Sequence, residues 1–180
     1  MPYYLGQFFG LLATAASIIL PLLRKKWMML VTTTLINLFM ALNFILIGEI
    51  GSAAALCIVA VVQCLVSLHH TLRKRTPARW ETALFALLYL GFGFFGMMSA
   101  PGFVFGLSAH NLLELLPIFG SLCSMTFVFI RDEQKARWVL LLTCCVWSVY
   151  TAIIGAATFF AQFVSLLTTV AALLKYHRQK

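Results

Sequence analysis

The lysines and arginines of this chain are confined to four places. All thirteen lie at 24–26, 73–79, 131–137 and 175–180, and the intervals before and between these clusters run for 23, 46, 51 and 37 residues without either. A bilayer crossing takes about 20 apolar residues over ~30 Å of hydrocarbon. The first interval therefore fits one crossing and each of the others fits two, so every cluster returns to the same face. Positive residues stay on the cytoplasmic side. The pattern predicts seven transmembrane helices, with the amino terminus outside and the carboxyl terminus inside. Composition agrees: 62% of residues are hydrophobic and 10% charged, against ~25% charged in soluble domains. A β-barrel is excluded because its strands are ~10 residues long with polar alternation. No positive charge precedes the first apolar run, so a cleavable signal peptide is not expected.

The predicted spans are Tyr4–Leu23, Trp27–Gly48, Gly51–His70, Trp80–Ser99, Leu112–Ile130, Trp138–Gly155 and Ala157–Leu174. Turns free of basic residues are expected at 48–51, 99–102 and 155–158, where glycine, proline and small residues gather. The motif ARW occurs at 78–80 and again at 136–138, and RKKW at 24–27 is its cousin. Trp27, Trp80 and Trp138 thus each open a helix leaving the basic face, where an indole anchors at headgroup level beside cations that attract anionic lipid. Trp147 is the exception, in the middle of the sixth span.

The spacing also suggests duplication. Aligning Gly10 with Gly120 sets LGQFFGLLATAAS over LLPIFGSLCSMTF, and Trp27 then meets Trp138 within one position. Residues 4–70 would form a first three-helix repeat and 110–174 a second, with 80–99 as a linker helix. Two copies of an odd number of helices run in opposite directions, and one extra crossing restores a common orientation. That is the parallel-repeat arrangement of SWEET-type carriers, whose substrate lies between repeats near mid-membrane.

Three stretches carry a family resemblance: YLGQFFG (4–10), ELLPIFGSLCS (114–124) and TCCVW (143–147). With them the chain resembles the YgjV family of bacterial inner-membrane proteins over nearly its whole length. The resemblance implies a seven-helix, multi-pass protein of the bacterial inner membrane, related to the SWEET, PQ-loop and KDEL-receptor group. It transfers a fold rather than a substrate. It also implies departures at Gln63, where an arginine is expected, and at Tyr150 and Thr151, where histidine and asparagine are expected.

Chemistry-bearing groups inside the spans are few, since a charge in hydrocarbon costs at least ~2.5 kcal/mol. Glu114 lies one turn before Pro117, with His110 four residues earlier on the same helix face. The two could relay protons; the alternative is a solvated pair at headgroup level. Uncharged polar residues are more numerous, and Asn37, Asn43, Gln63, Trp147, Tyr150 and Gln162 are candidates for lining a polar cavity between the repeats. Amides there would bond a solute's hydroxyls and the indole would support a ring. The alternative is that such side chains only tie helices together, at ~0.6 kcal/mol each. Pro21 and Pro117 each remove a backbone donor and are candidate hinges.

No catalytic set, metal site or cofactor is expected. The five cysteines lack metal-site spacing and no histidine cluster accompanies them. The net charge of +8 is spread over loops facing anionic lipid and does not imply nucleic acid. The expected function is uniport-type carriage of a small neutral polar solute, such as a sugar or another small metabolite, by alternating access. The alternative is a membrane receptor or accessory protein that binds a peptide or protein partner without transport. An enzyme is not expected, because it needs clustered acid, base or metal groups. Substrate, direction, ion coupling and oligomeric state are not legible.

Overall fold

The computed structural model of the chain describes residues 2–48, 51–99, 108–130, 132–155 and 158–177. Among these are seven α-helices: α1 (Pro2–Ile19), α2 (Lys26–Ile47), α3 (Ser52–Leu72), α4 (Arg79–Ser99), α5 (Ala109–Phe129), α6 (Glu133–Ile153) and α7 (Thr158–His177). By length and composition six are fit to cross a membrane, and α7 adds the apolar stretch Gln162–Leu174. Large apolar side chains cover the outside of the bundle, as they do where the solvent is lipid; Leu87, Phe95 and Phe160 are all about two-thirds exposed (67%, 68% and 67%). Trp27, Trp80 and Trp138 point outward too. Glu49 and most of the three predicted turns lie outside the described residues.

Two helices begin three or more residues earlier than the apolar pattern alone predicts, and in both cases a cap decides. Ser108 Oγ accepts from Asn111 N at 3.1 Å, so α5 starts at Ala109 rather than 112. Asp132 Oδ1 accepts from Gln134 N at 2.8 Å and Lys135 N at 3.1 Å, so α6 starts at Glu133, a turn and a half before Trp138. Hydropathy marks where a chain becomes greasy; side-chain acceptors mark where its first orphan amides are satisfied. At the other end of α1, Pro21 lies in a 3-10 turn (Leu20–Leu22) after the helix has stopped, whereas Pro117 lies inside α5.

Consecutive helices pack against each other from α1 to α5 and from α5 to α7, while α1 also packs on α7 and α3 on α5. The helices α1, α2, α3, α5, α6 and α7 thus form a closed ring, and α4 lies outside it across α3 and α5. The α3–α5 contact is parallel and in register. Ser52 meets Glu114 and Gln63 meets Met125, both pairs being 62 residues apart. Where α4 crosses the start of α3 only glycine fits. A Cβ on Gly96 would stand 2.7 Å from Ser52 Cα and 2.8 Å from its nitrogen, and backbone cannot give way. Two apolar cores result: one around Met29, Phe44, Phe127 and Cys144 within the ring, the other around Leu56, Phe85 and Tyr89 where α4 covers it.

Candidate functional site

A small cavity of about 60 Å³ lies inside the ring. It sits near the midpoints of α2 and α6, and its wall includes Asn37 and Thr33 from α2, Thr143 and Trp147 from α6, and Gln162 and Ser165 from α7. Ser17 of α1 and Ser124 of α5 add to the polar lining, and among the described residues no charged side chain belongs to it. Since ~10–15 Å³ is enough to admit one water, this space holds only a few. It is far below the ~300 Å³ of a typical small-molecule pocket.

The hydrogen bonding of the lining has a direction. The hydroxyls of Ser17, Thr33 and Thr143 each donate backward to the carbonyl four residues earlier, at 2.8, 2.8 and 2.9 Å. The Asn37 amide nitrogen donates to Thr33 O at 2.8 Å, and Gln162 Nε2 turns to Met40 Sδ at 3.7 Å. The hydroxyl donors of Ser17, Thr33 and Thr143 are thereby spent within the protein and leave oxygen lone pairs for a guest, while the Asn37 and Gln162 amides each keep a second N–H. The cavity offers acceptors and donors alike. Its flat face is Trp147, stacked on Phe44 with ring centroids 6.3 Å apart and held edge-on by Tyr150 at 5.9 Å. Gly120 lets the indole in: a Cβ there would be 2.9 Å from Trp147 Nε1.

Of the six cavity candidates the structure brings three together, Asn37, Trp147 and Gln162. Tyr150 is buried behind Trp147, against Phe44. Asn43 is fully buried against α1, donating to Gly6 O at 2.7 Å. Gln63 faces the other core: its Nε2 donates to Met125 O at 3.3 Å, and its Oε1 accepts from Tyr89 Oη at 2.6 Å. The residue at which an arginine was expected is therefore a link among α3, α4 and α5. Ser17 and Ser124 were not singled out from sequence, since a lone hydroxyl in a membrane helix carries no signal. One clue existed: advancing by the 111 positions that separate Trp27 from Trp138 takes Thr33 to Cys144 and Ile36 to Trp147, and all four line the cavity.

The Imp-YgjV family, described as bacterial inner membrane protein, matches residues 4–180. The chain belongs to this family. It is accordingly a multi-pass protein of the bacterial inner membrane. No curated protein and no solved structure matches it.

Within this Imp-YgjV protein Glu114 is 4% exposed. Its Oε2 accepts from Ser52 N at 3.2 Å and from the Ser52 hydroxyl. The carboxyl group thus caps the first turn of α3 from a neighbouring helix, where the helix dipole also favours negative charge. The side chain of His110 lies outside the described residues. Pro117 is buried one turn further along α5, and Pro21 is buried at the end of α1. At the basic end Glu81 satisfies the start of α4, accepting from Ala78 N at 2.7 Å, and pairs with His70 Nε2 at 3.0 Å. A broader, mostly apolar crevice of about 530 Å³ opens between α1 and the α6–α7 corner, by Gln7, Leu11, Thr151 and Phe159.

Proposed function

We propose that this Imp-YgjV protein is an alternating-access carrier, of uniport type, for a small neutral polar solute such as a sugar or another small metabolite, and that it is not an enzyme. Its frame is a 3+1+3 parallel repeat of SWEET-like kind, α1–α3 and α5–α7 joined by α4, with the amino terminus outside and the carboxyl terminus inside. Exchanging α1, α2 and α3 with α5, α6 and α7 maps every neighbour contact of the ring onto another, which supports the repeat. The orientation rests on the positive-inside rule.

The observation that carries the reading is the cavity: uncharged polar groups from both halves converge near mid-membrane with hydrogen-bonding capacity to spare. Hydroxyls or amides on the cargo would pair with these groups, and the Trp147 face would support an apolar side of it. At about 60 Å³ the ring is closed around this space, and a sugar-sized cargo requires the halves to part. Charged cargo is disfavoured because no counter-charge lines the wall.

The test is thermal stability of the purified protein across polyols, sugars, nucleosides, amino acids and vitamins, in the parent and in Asn37→Ala. Asn37 is half-buried and its one recorded bond is local, so the variant should fold. A bound ligand at a hundredfold excess over Kd stabilises by about 2.7 kcal/mol. A shift that vanishes in Asn37→Ala, with uptake of the same compound into proteoliposomes, is the expected result. No shift across the panel, together with a protein or peptide that co-purifies in fixed ratio, would replace this reading with the receptor one. Impermeant thiol labelling of cysteines introduced at Lys74 and Gly48 checks orientation, the first reacting only from the cytoplasmic side.

A further inference from the structure

The central cavity and the crevice of about 530 Å³ share three helices, and on each the crevice residues lie nearer the end opposite the basic loops. On α6 the crevice touches Thr151 and the cavity Trp147, four residues apart. On α7 the pair is Phe159 and Gln162, three apart, and on α1 it is Leu11 and Ser17, six apart. At ~1.5 Å of rise per residue these steps are about 6, 4.5 and 9 Å along the helices. The partition is thin. Toward the basic loops the cavity is closed differently. From Thr33 in its wall to the start of α2 at Lys26 run about two helical turns, which carry the fully buried Met29 and Leu30, with Phe127 packed in the same core.

The thin side is held by a weak link. Gln162 stands one turn beyond Phe159 on the same face of α7, and its Nε2 donates to Met40 Sδ at 3.7 Å. Helices α2 and α7 are not neighbours in the ring, so this contact spans its interior and joins one half of the chain to the other. A thioether is a weak acceptor, and a methionine side chain is unbranched and flexible. Parting the two groups is therefore easier than parting the stacked rings of Phe44 and Trp147.

We propose that the crevice is the outer vestibule of the central cavity, and that Gln162, held to Met40 across the ring, is the gate between them. The inference deepens the carrier reading and rests on it. Solute enters from the face opposite the basic loops, and reaches Asn37 and Trp147 when the Gln162 side chain leaves Met40. The freed amide can then pair with the solute, so that opening and binding use the same group. Release on the other face requires the thicker apolar plug to part.

Cys144, in the cavity wall, is a native reporter of access. The full chain, with Cys57→Ala, Cys64→Ala, Cys123→Ser and Cys145→Ser, is placed in right-side-out or inverted membrane vesicles in nitrate medium and exposed to silver ion, a thiol-seeking cation small enough for a water-sized space. Thiol left unreacted is counted after denaturation with a bulky maleimide. Labelling should be faster from the outer face. Gln162→Ala and Met40→Leu should each raise that rate about five-fold, the factor for one hydrogen bond's worth of closing free energy. Met40→Leu conserves volume, so it keeps a folded comparison if Gln162→Ala does not. Ala152→Trp, at an exposed position of the crevice, should return the rate of either gate variant toward the parent's. Labelling at least as fast from the basic face, no acceleration in either gate variant, or no retardation by the tryptophan would overturn the proposal. The expected labelling in a protein that takes up no compound of the transport panel would uphold vestibule and gate and refute the carrier reading alone.

Discussion

Replacing Glu114 by alanine probes whether a carboxyl group on α5 secures the start of α3. Helix α3 begins at Ser52 after Gly51, and no side-chain cap from Gly51 satisfies its first amides. They depend on what neighbouring helices offer. With alanine at 114 the Ser52 N–H, at a residue of 0% exposure, loses its acceptor, at a cost of about 1–3 kcal/mol. The Ser52 hydroxyl can turn fully to the main-chain oxygen of residue 114, already 3.3 Å away, and so adds little. One buried methylene, ~0.8 kcal/mol, brings the loss to roughly 2–4 kcal/mol. Glu114→Gln retains an acceptor at the same reach and should cost under ~1 kcal/mol, and Ser52→Ala about 1 kcal/mol. Reversible unfolding in mixed detergent micelles measures these differences, and hydrogen exchange at the amides of residues 52–54 locates them. A loss within about 0.5 kcal/mol for Glu114→Ala, the size of an inert substitution, would refute the capping role. Equal damage from glutamine and alanine would mean that charge, not the hydrogen bond, matters.

Gly96→Ala should destabilise the fold by at least ~1–3 kcal/mol, because its new methyl meets the α3 backbone. Gly91→Ala, with nothing within 4 Å of a Cβ, should be neutral or stabilising by up to ~1 kcal/mol; the same unfolding assay reads both. Tyr89→Phe strands Gln63 Oε1 and Gln63→Leu strands the Tyr89 hydroxyl, each costing about 1–3 kcal/mol, while the double variant should cost clearly less than the sum. Strict additivity in that cycle would show that the 2.6 Å contact does not couple α3 to α4.

The seven helices were legible because charge is intolerable in hydrocarbon, so thirteen basic residues in four clusters bound the apolar intervals and glycine-rich turns divide them. Helix starts were less legible: Ser108 and Asp132 act through single hydrogen bonds that leave no mark on hydropathy. The cavity was half-legible for a geometric reason. Asn37 and Asn43 belong to the same helix, six residues and therefore about 120° apart, and the sequence cannot tell which direction faces the ring's interior. The structure turns Asn37 inward and Asn43 to α1. Glu114 shows the same limit from the other side. Its span was evident, but the partner that makes it structural, Ser52, is 62 residues away and unremarkable by itself.

The register between α3 and α5 has a mechanical consequence. Side chains fasten these two helices at two levels, Ser52 to Glu114 and Gln63 to Met125, with α4 lying along the joint as a splint. The opposite joint, α1 against α7, has no side-chain hydrogen bond among the described residues, and a crevice already lies beside it. A folded book bound along one edge opens at the other. If the two halves part, the bound edge is the spine and α1 must move from α7, so a covalent cross-link there would arrest opening while one between α3 and α5 would leave it free.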